Sequence, residues 1–104
     1  MSHFSKIKTK IKNKPHLIEA LELLQYNVEV DVALENPWEH SHKQWNVDVA
    51  VGSDIGFRMN PVTGEYELVA YLETWNQPIP VERFIDKVNQ QYARMTIHNT
   101  VKDM

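Results

Sequence analysis

The sequence predicts an α+β fold: a five-stranded, mainly antiparallel sheet with two helices packed on one face, in the order β-α-β-β-β-β-α. Three observations lead there. Five segments alternate apolar and polar residues with a period of two, which puts one set of side chains on each face of a strand. Two segments space their apolar residues three and four apart, the stripe of a helix. The connections carry Pro, Asn and Gly where one kind of structure must stop and another start.

Phe4 to Ile11 reads as the first strand, with Ile7, Thr9 and Ile11 on one face and Lys6, Lys8, Lys10 and Lys12 on the other. Asn13-Lys14-Pro15 then starts a helix, because Asn is a good N-cap and Pro needs no N–H in the first turn. Leu17, Ile18, Leu21 and Leu24 form its apolar face, and Tyr26-Asn27 closes it, Asn27 taking the left-handed cap conformation. Val28, Val30, Val32 and Leu34 alternate with Glu29, Asp31 and Glu35 in a second strand. Asn36 to Lys43 is a polar break. Trp45, Val47, Val49 and Val51 make a third strand, Gly52-Ser53-Asp54 turns it, and Ile55, Phe57 and Met59 begin a fourth. A hairpin connection follows at Asn60 to Gly64, with Gly64 available for positive φ. Tyr66, Leu68, Ala70 and Leu72 form the fifth strand, and Val69 and Tyr71 on its other side mark it as central. After the break at Asn76 to Pro80, Phe84, Ile85, Val88, Tyr92 and Met95 lie at helical spacing.

Residues 1–104 are expected to form one domain with one core. Both apolar helix faces should cover one side of the sheet. The opposite face would carry the strand lysines, Glu29, Asp31, Glu35, Asp48, Arg58, Tyr71 and Glu73, and is expected to be polar.

Composition narrows the function. With no cysteine, disulfides, thiolate nucleophiles and Cys-based zinc or iron–sulfur sites are excluded. No apolar run approaches the roughly 20 residues of a membrane span, and the lysines among Ile7 and Ile11 leave no apolar region for a signal peptide. The net charge of −3 is unevenly spread. Five lysines and no acid fall in the first fourteen residues, a charge of +5; six basic and fourteen acidic residues follow, a charge of −8. An acidic body with a basic edge argues against non-specific nucleic-acid binding, which needs a positive field across the domain.

Four stretches carry a family resemblance: Ser2 through Ile11, Asp54-Ile55-Gly56-Phe57-Arg58, Asn60 through Ala70, and Gln91-Tyr92-Ala93 with Thr96-Ile97. In this order they resemble the hypothetical chloroplast reading frame 35 family of cyanobacterial and plastid proteins, within domain of unknown function 1257. The resemblance covers nearly the whole chain. It implies a photosynthetic setting (cyanobacterial, plastid or cyanophage) and supplies no reaction. Two features depart from the family pattern. Residues 36–44 are acidic and His-bearing where the family is Gly-rich and basic, and the C-terminus stops early, at Met104, as in a shortened copy carried by a virus of cyanobacteria.

Few residues suggest chemistry. His40 and His42 could lie on one side of an extended segment beside Glu39, yet a zinc or nickel site needs a third ligand, so a solvated loop is the simpler reading. His3, His16 and His98 are scattered, and Ser2, Ser5 and Ser53 sit in no nucleophile-elbow pattern. Gly52, Gly56 and Gly64 precede no helix, so no phosphate cradle is present. Glu65 with Glu67, and Glu29 with Asp31 and Glu35, are paired carboxylates, but acids opposing a lysine row are the ordinary arrangement on a solvated sheet. The lysine row itself fits a charge-guarded edge strand or an electrostatic dock for an acidic protein or anionic ligand.

The expected function is that of a small non-enzymatic binding or regulatory protein acting through protein–protein contact in the cyanobacterial cytoplasm or plastid stroma. Phe4, Lys6, Lys8, Lys10, Arg58 and Tyr71 would form its binding surface. The alternative is a small enzyme or metal-dependent factor using the His40/His42 loop and nearby carboxylates. A third reading is homo-oligomerisation through the sheet edge or outer face. No cofactor and no membrane contact are implied.

Overall fold

A computed structural model describes residues 5–35, 44–52, 55–71, 75 and 77–102 of the chain. The elements follow the expected order: β1 (Ser5–Lys8), α1 (Lys14–Leu23), β2 (Val28–Glu35), β3 (Gln44–Val51), β4 (Ile55–Met59), β5 (Tyr66–Ala70) and α2 (Val81–Lys102). All five strands join one antiparallel sheet in the order β1-β5-β4-β3-β2. β5 is therefore interior, as its two apolar faces predict, and β1 and β2 are the edges.

The main core lies between this sheet and both helices. Leu17 and Leu21 of α1 and Phe84, Ile85 and Val88 of α2 cover Val49, Phe57 and Leu68. Phe84 is its aromatic centre, with ring centroids 5.3 Å from Tyr26, 5.5 Å from Trp75 and 6.4 Å from Phe57. Aromatic pairs at these separations add to the burial that drives the packing.

The helix ends are set locally. Asn13 is the N-cap of α1, its Oδ1 accepting the His16 N–H at 3.1 Å. At the other end Gln25, not Asn27, takes the left-handed conformation, with φ +70°. The Tyr26 N–H reaches Leu21 O at 3.1 Å and the Gln25 N–H reaches Glu22 O at 2.9 Å, the bond pattern of a Schellman cap. Tyr26 must face Phe84 to complete the core, and that fixes the turn two residues earlier than the side-chain preference of Asn27 would. The β4–β5 hairpin behaves as expected: Gly64 has φ +73°, and Asn60 Oδ1 accepts the Val62 N–H at 2.8 Å.

Regular pairing of β1 ends earlier than Ile11. The Thr9 N–H donates to Tyr66 O at 3.2 Å, but the Tyr66 N–H donates to Ile11 O at 2.8 Å, so two extra residues sit opposite Tyr66. The buried Thr9 hydroxyl fills the gap, donating to Tyr66 O and accepting the Ile11 N–H. Ile7, Thr9 and Ile11 nevertheless keep to the helix side, as their period of two requires.

The outer face departs most from expectation. Period-two reading puts Val32 and Leu34 with Val28, and Val47 with Val49, all under the helices. Instead Leu34, Val47, Ala50 and Val69 form a second apolar cluster with Val32 against it, on the opposite side of the sheet. The cause is a kink shared by two strands. Asp31 has φ +53°, and the β2–β3 ladder, otherwise in constant register, lacks the Asp31–Asp48 pair. Beyond that point the side chains change face. The β3–β4 ladder ends at Val49–Phe57, and the Asp48 carboxylate accepts the Met59 N–H at 2.9 Å in place of a strand carbonyl. Gly56 admits the folded-over hairpin: a Cβ there would lie 2.8 Å from Val47 Cγ1. The outer face is thus polar only in part.

Candidate functional site: the basic edge and the outer face

Lys6 and Lys8 project from the outer side of β1, opposite Val69 and Glu67 of β5 in register. Both are exposed, as are Lys10 and Lys12 beyond the strand. The ladder also fixes the backbone. Because the Thr9 N–H points inward to Tyr66 O, the two-residue period directs the N–H and C=O of Lys6 and Lys8 away from β5. On the far side of β5, the 2.9 Å bond from the Asn60 N–H to Glu65 O gives the same alternation.

The lysine row borders two different surfaces. Lys6 joins Arg58, Glu67 and Met59 around a shallow outer-face depression of about 240 Å³. Arg58 is exposed and stands opposite Glu67 in the β4–β5 ladder. Lys8 and Lys10 instead flank an open groove of about 650 Å³ between the β1 edge and α2, floored by Thr9, Tyr92, Ala93 and Ile97. Ile97 is 65 % exposed there, a large apolar side chain with little cover. The hydroxyl of Tyr92 accepts the Asn13 N–H at 3.2 Å, tying α2 to the start of α1.

Tyr71, expected on the outer surface, is 1 % exposed. It follows β5, whose last three residues are all buried, and is enclosed like them. Phe4, His40 and His42 lie outside the described residues. Among the described residues no group of three or more His, Asp or Glu side chains is placed to hold a metal ion. The surface portion of the expected set is therefore Lys6, Lys8, Lys10 and Arg58.

A second charged group had no distinct signal in the sequence. The Lys14 ammonium donates to Asp31 Oδ1 at 2.8 Å, joining the start of α1 to the kink of β2. That bond raises the Lys14 pKa above its ordinary value. Nearby, Tyr66 is pushed up chiefly by burial and then by the charge of Asp48. Asp31 was legible as an outward-facing strand acid, but its positive φ was not.

Comparison with known proteins places this arrangement. The family described as "Protein of unknown function (DUF1257)" matches residues 20–104. The chain belongs to this family. It is 37 % identical over 105 residues to "Uncharacterized protein ycf35" of Guillardia theta, covering 99 % of the chain and 80 % of that protein. The protein of the same name from Pyropia yezoensis is 36 % identical over 112 residues, covering 98 % and 80 %. That of Cyanophora paradoxa is 34 % identical over 101 residues, covering 93 % and 76 %. These relatives are plastid proteins, which supports the setting implied by the sequence. No solved structure matches the chain. Among the described residues no helix is long and apolar enough to cross a membrane. Residues 36–43, most of the stretch that departs from the family pattern, lie outside the described residues.

Proposed function

We propose that the protein is a small non-enzymatic binding or regulatory protein that acts through protein–protein contact, with the basic β1 edge as its contact surface. The supporting observation is the placement of Lys6, Lys8, Lys10 and Lys12: all four are exposed on or beside an edge strand of a chain whose remainder is acidic. A concentrated positive edge steers an acidic partner and fixes its orientation more than it adds raw affinity. Arg58 extends the positive surface from Lys6 across the outer face. The proposed setting is the cyanobacterial cytoplasm or plastid stroma.

The test is capture from cyanobacterial lysate by the wild type beside a Lys6→Glu/Lys8→Glu/Lys10→Glu variant, with circular dichroism to check folding. The expected result is a specific partner retained by the wild type and lost by the folded variant. Capture that ignores the reversal overturns the reading.

A further inference from the structure

We infer that β1 is the docking edge for an extended acidic segment of a partner protein, which adds to the sheet as a sixth strand. This rests on the protein-contact reading above and specifies the partner's chemistry and the mode of contact.

Three features of one edge converge. First, the backbone groups of Lys6 and Lys8 are directed out of the sheet, and among the described strands β1 has a neighbour on one side only. An incoming extended chain can take up those groups as a regular ladder. Second, the lysines belong to those same residues. A strand added here places alternate side chains directly opposite Lys6 and Lys8, where carboxylates are attracted and cations repelled. Third, the intervening side chains of the added strand fall on the helix side, over the groove floored by Tyr92, Ala93 and Ile97. The segment that fits all three alternates acidic and apolar residues. Backbone pairing supplies affinity, while the lysines and the groove supply selectivity.

A second copy of this chain carries an acid–apolar alternation in β2, but not in suitable form. Asp31 bends that strand with φ +53° and is held by Lys14 at 2.8 Å. Edge-to-edge joining of β1 to β2 would also repeat head to tail, producing filaments or rings. A foreign segment has neither constraint.

The probe is an acetylated, amidated heptapeptide EVEVEVE. Its controls are KVKVKVK and an EVEVEVE peptide N-methylated at alternate residues to remove backbone donors. Amide hydrogen exchange is followed by NMR on the full chain, with affinity from fluorescence anisotropy. EVEVEVE should bind and slow exchange at Lys6 and Lys8 by about tenfold or more, leaving Ile7 and Thr9, which already face β5, little changed. Two charge reversals, Lys6→Glu with Lys8→Glu, should weaken binding about tenfold. KVKVKVK should not bind, and the N-methylated peptide should bind at least about tenfold more weakly.

Absence of EVEVEVE binding overturns the proposal, as does binding without protection at Lys6 and Lys8. So does a concentration-dependent oligomer in light scattering that Lys6→Glu/Lys8→Glu dissolves, because the occupant is then a second copy. Lysine-dependent lysate capture without amide protection removes the strand-addition mode alone. Capture indifferent to the lysines removes the protein-contact reading as well.

Discussion

The two edges of the sheet solve the same problem differently. An unpaired edge is a template for another strand and must be guarded. β2 is the longer hazard, eight residues whose apolar and acidic side chains alternate from Val28 to Val32, with Val30 45 % exposed. It is guarded by shape: the Asp31 kink bends it, Lys14 grips the kink, and its far half folds onto the outer face through Leu34 and Val47. β1 is four residues long, keeps regular register with β5, and is guarded by lysine charge. A bend refuses every incoming strand, whereas a charge refuses only those of its own sign. The difference makes β1 selective and β2 closed.

If β2 is held by buried packing and β1 by much less, truncating each should give unequal losses. Leu34→Ala removes a side chain that is 1 % exposed and should lower stability by about 2–5 kcal/mol. Ile7→Ala removes one that is only half-buried and should cost about 1–2 kcal/mol. Urea denaturation of the two variants makes the measurement. Equal losses would mean that the outer-face cluster does not anchor the folded-over hairpin.

Gly56 gives a sharper reading of the same closure. A Cβ there meets Val47 Cγ1 at 2.8 Å, and Val is stiff at χ1, so Gly56→Ala should overpack the outer face by about 1–3 kcal/mol. Val47→Ala alone should also destabilise, but combining the two should cost less than the sum. A double-mutant cycle by thermal or urea unfolding tests this. Strict additivity would mean that the two residues do not meet.

At β1 the expected effect on folding is small. Lys8→Glu sets a carboxylate opposite Glu67 in the ladder, a like-charge pair worth about 0.2–1 kcal/mol. The urea midpoint should barely move. A loss comparable to that of Leu34→Ala would make Lys8 a structural residue and remove the contrast between the edges.

Much of this architecture was legible in the sequence, because strand and helix periods, the Asn13 cap and the Gly64 turn are local signals. The lysine edge was legible for the same reason: alternation along β1 fixes its faces whatever the rest of the chain does. What escaped were the consequences of one backbone angle. A period-two reading assumes that each strand keeps its faces from end to end, and the positive φ of Asp31 breaks that assumption for Val32, Leu34 and Val47 together. Asp can adopt this conformation, but nothing nearby in sequence demands it. The groups that meet around it, Lys14 at Asp31 and Val47 at Gly56, are brought together only by the tertiary fold. Tyr71 was misplaced on the surface for a different reason: it shares the parity of Val69, and an outer face that is polar at Arg58 is closed and apolar there.

The smallest effect concerns the grip on β2. Lys14 has its pKa raised above 10.5, first by the hydrogen bond to Asp31 and less by the charges of Asp31, Asp48 and Tyr66. Tyr66 is raised above 10.0, first by burial and then by Asp48. Both groups hold their protons more tightly folded than unfolded. Each contribution is therefore fully present below the ordinary value and is lost as pH rises through the folded one. Wild-type stability should fall on the alkaline side, starting near about pH 10. Asp31→Asn keeps a residue that tolerates positive φ but removes the main cause of the Lys14 shift and a minor cause of the Tyr66 shift. Its alkaline fall should be shallower, with the remainder carried by the burial of Tyr66. Urea midpoints at intervals from about pH 8 to pH 11 read this directly. An unchanged slope would detach Lys14 from the kink, leaving the conformation of Asp31 and the packing of Leu34 and Val47 to close that edge without it.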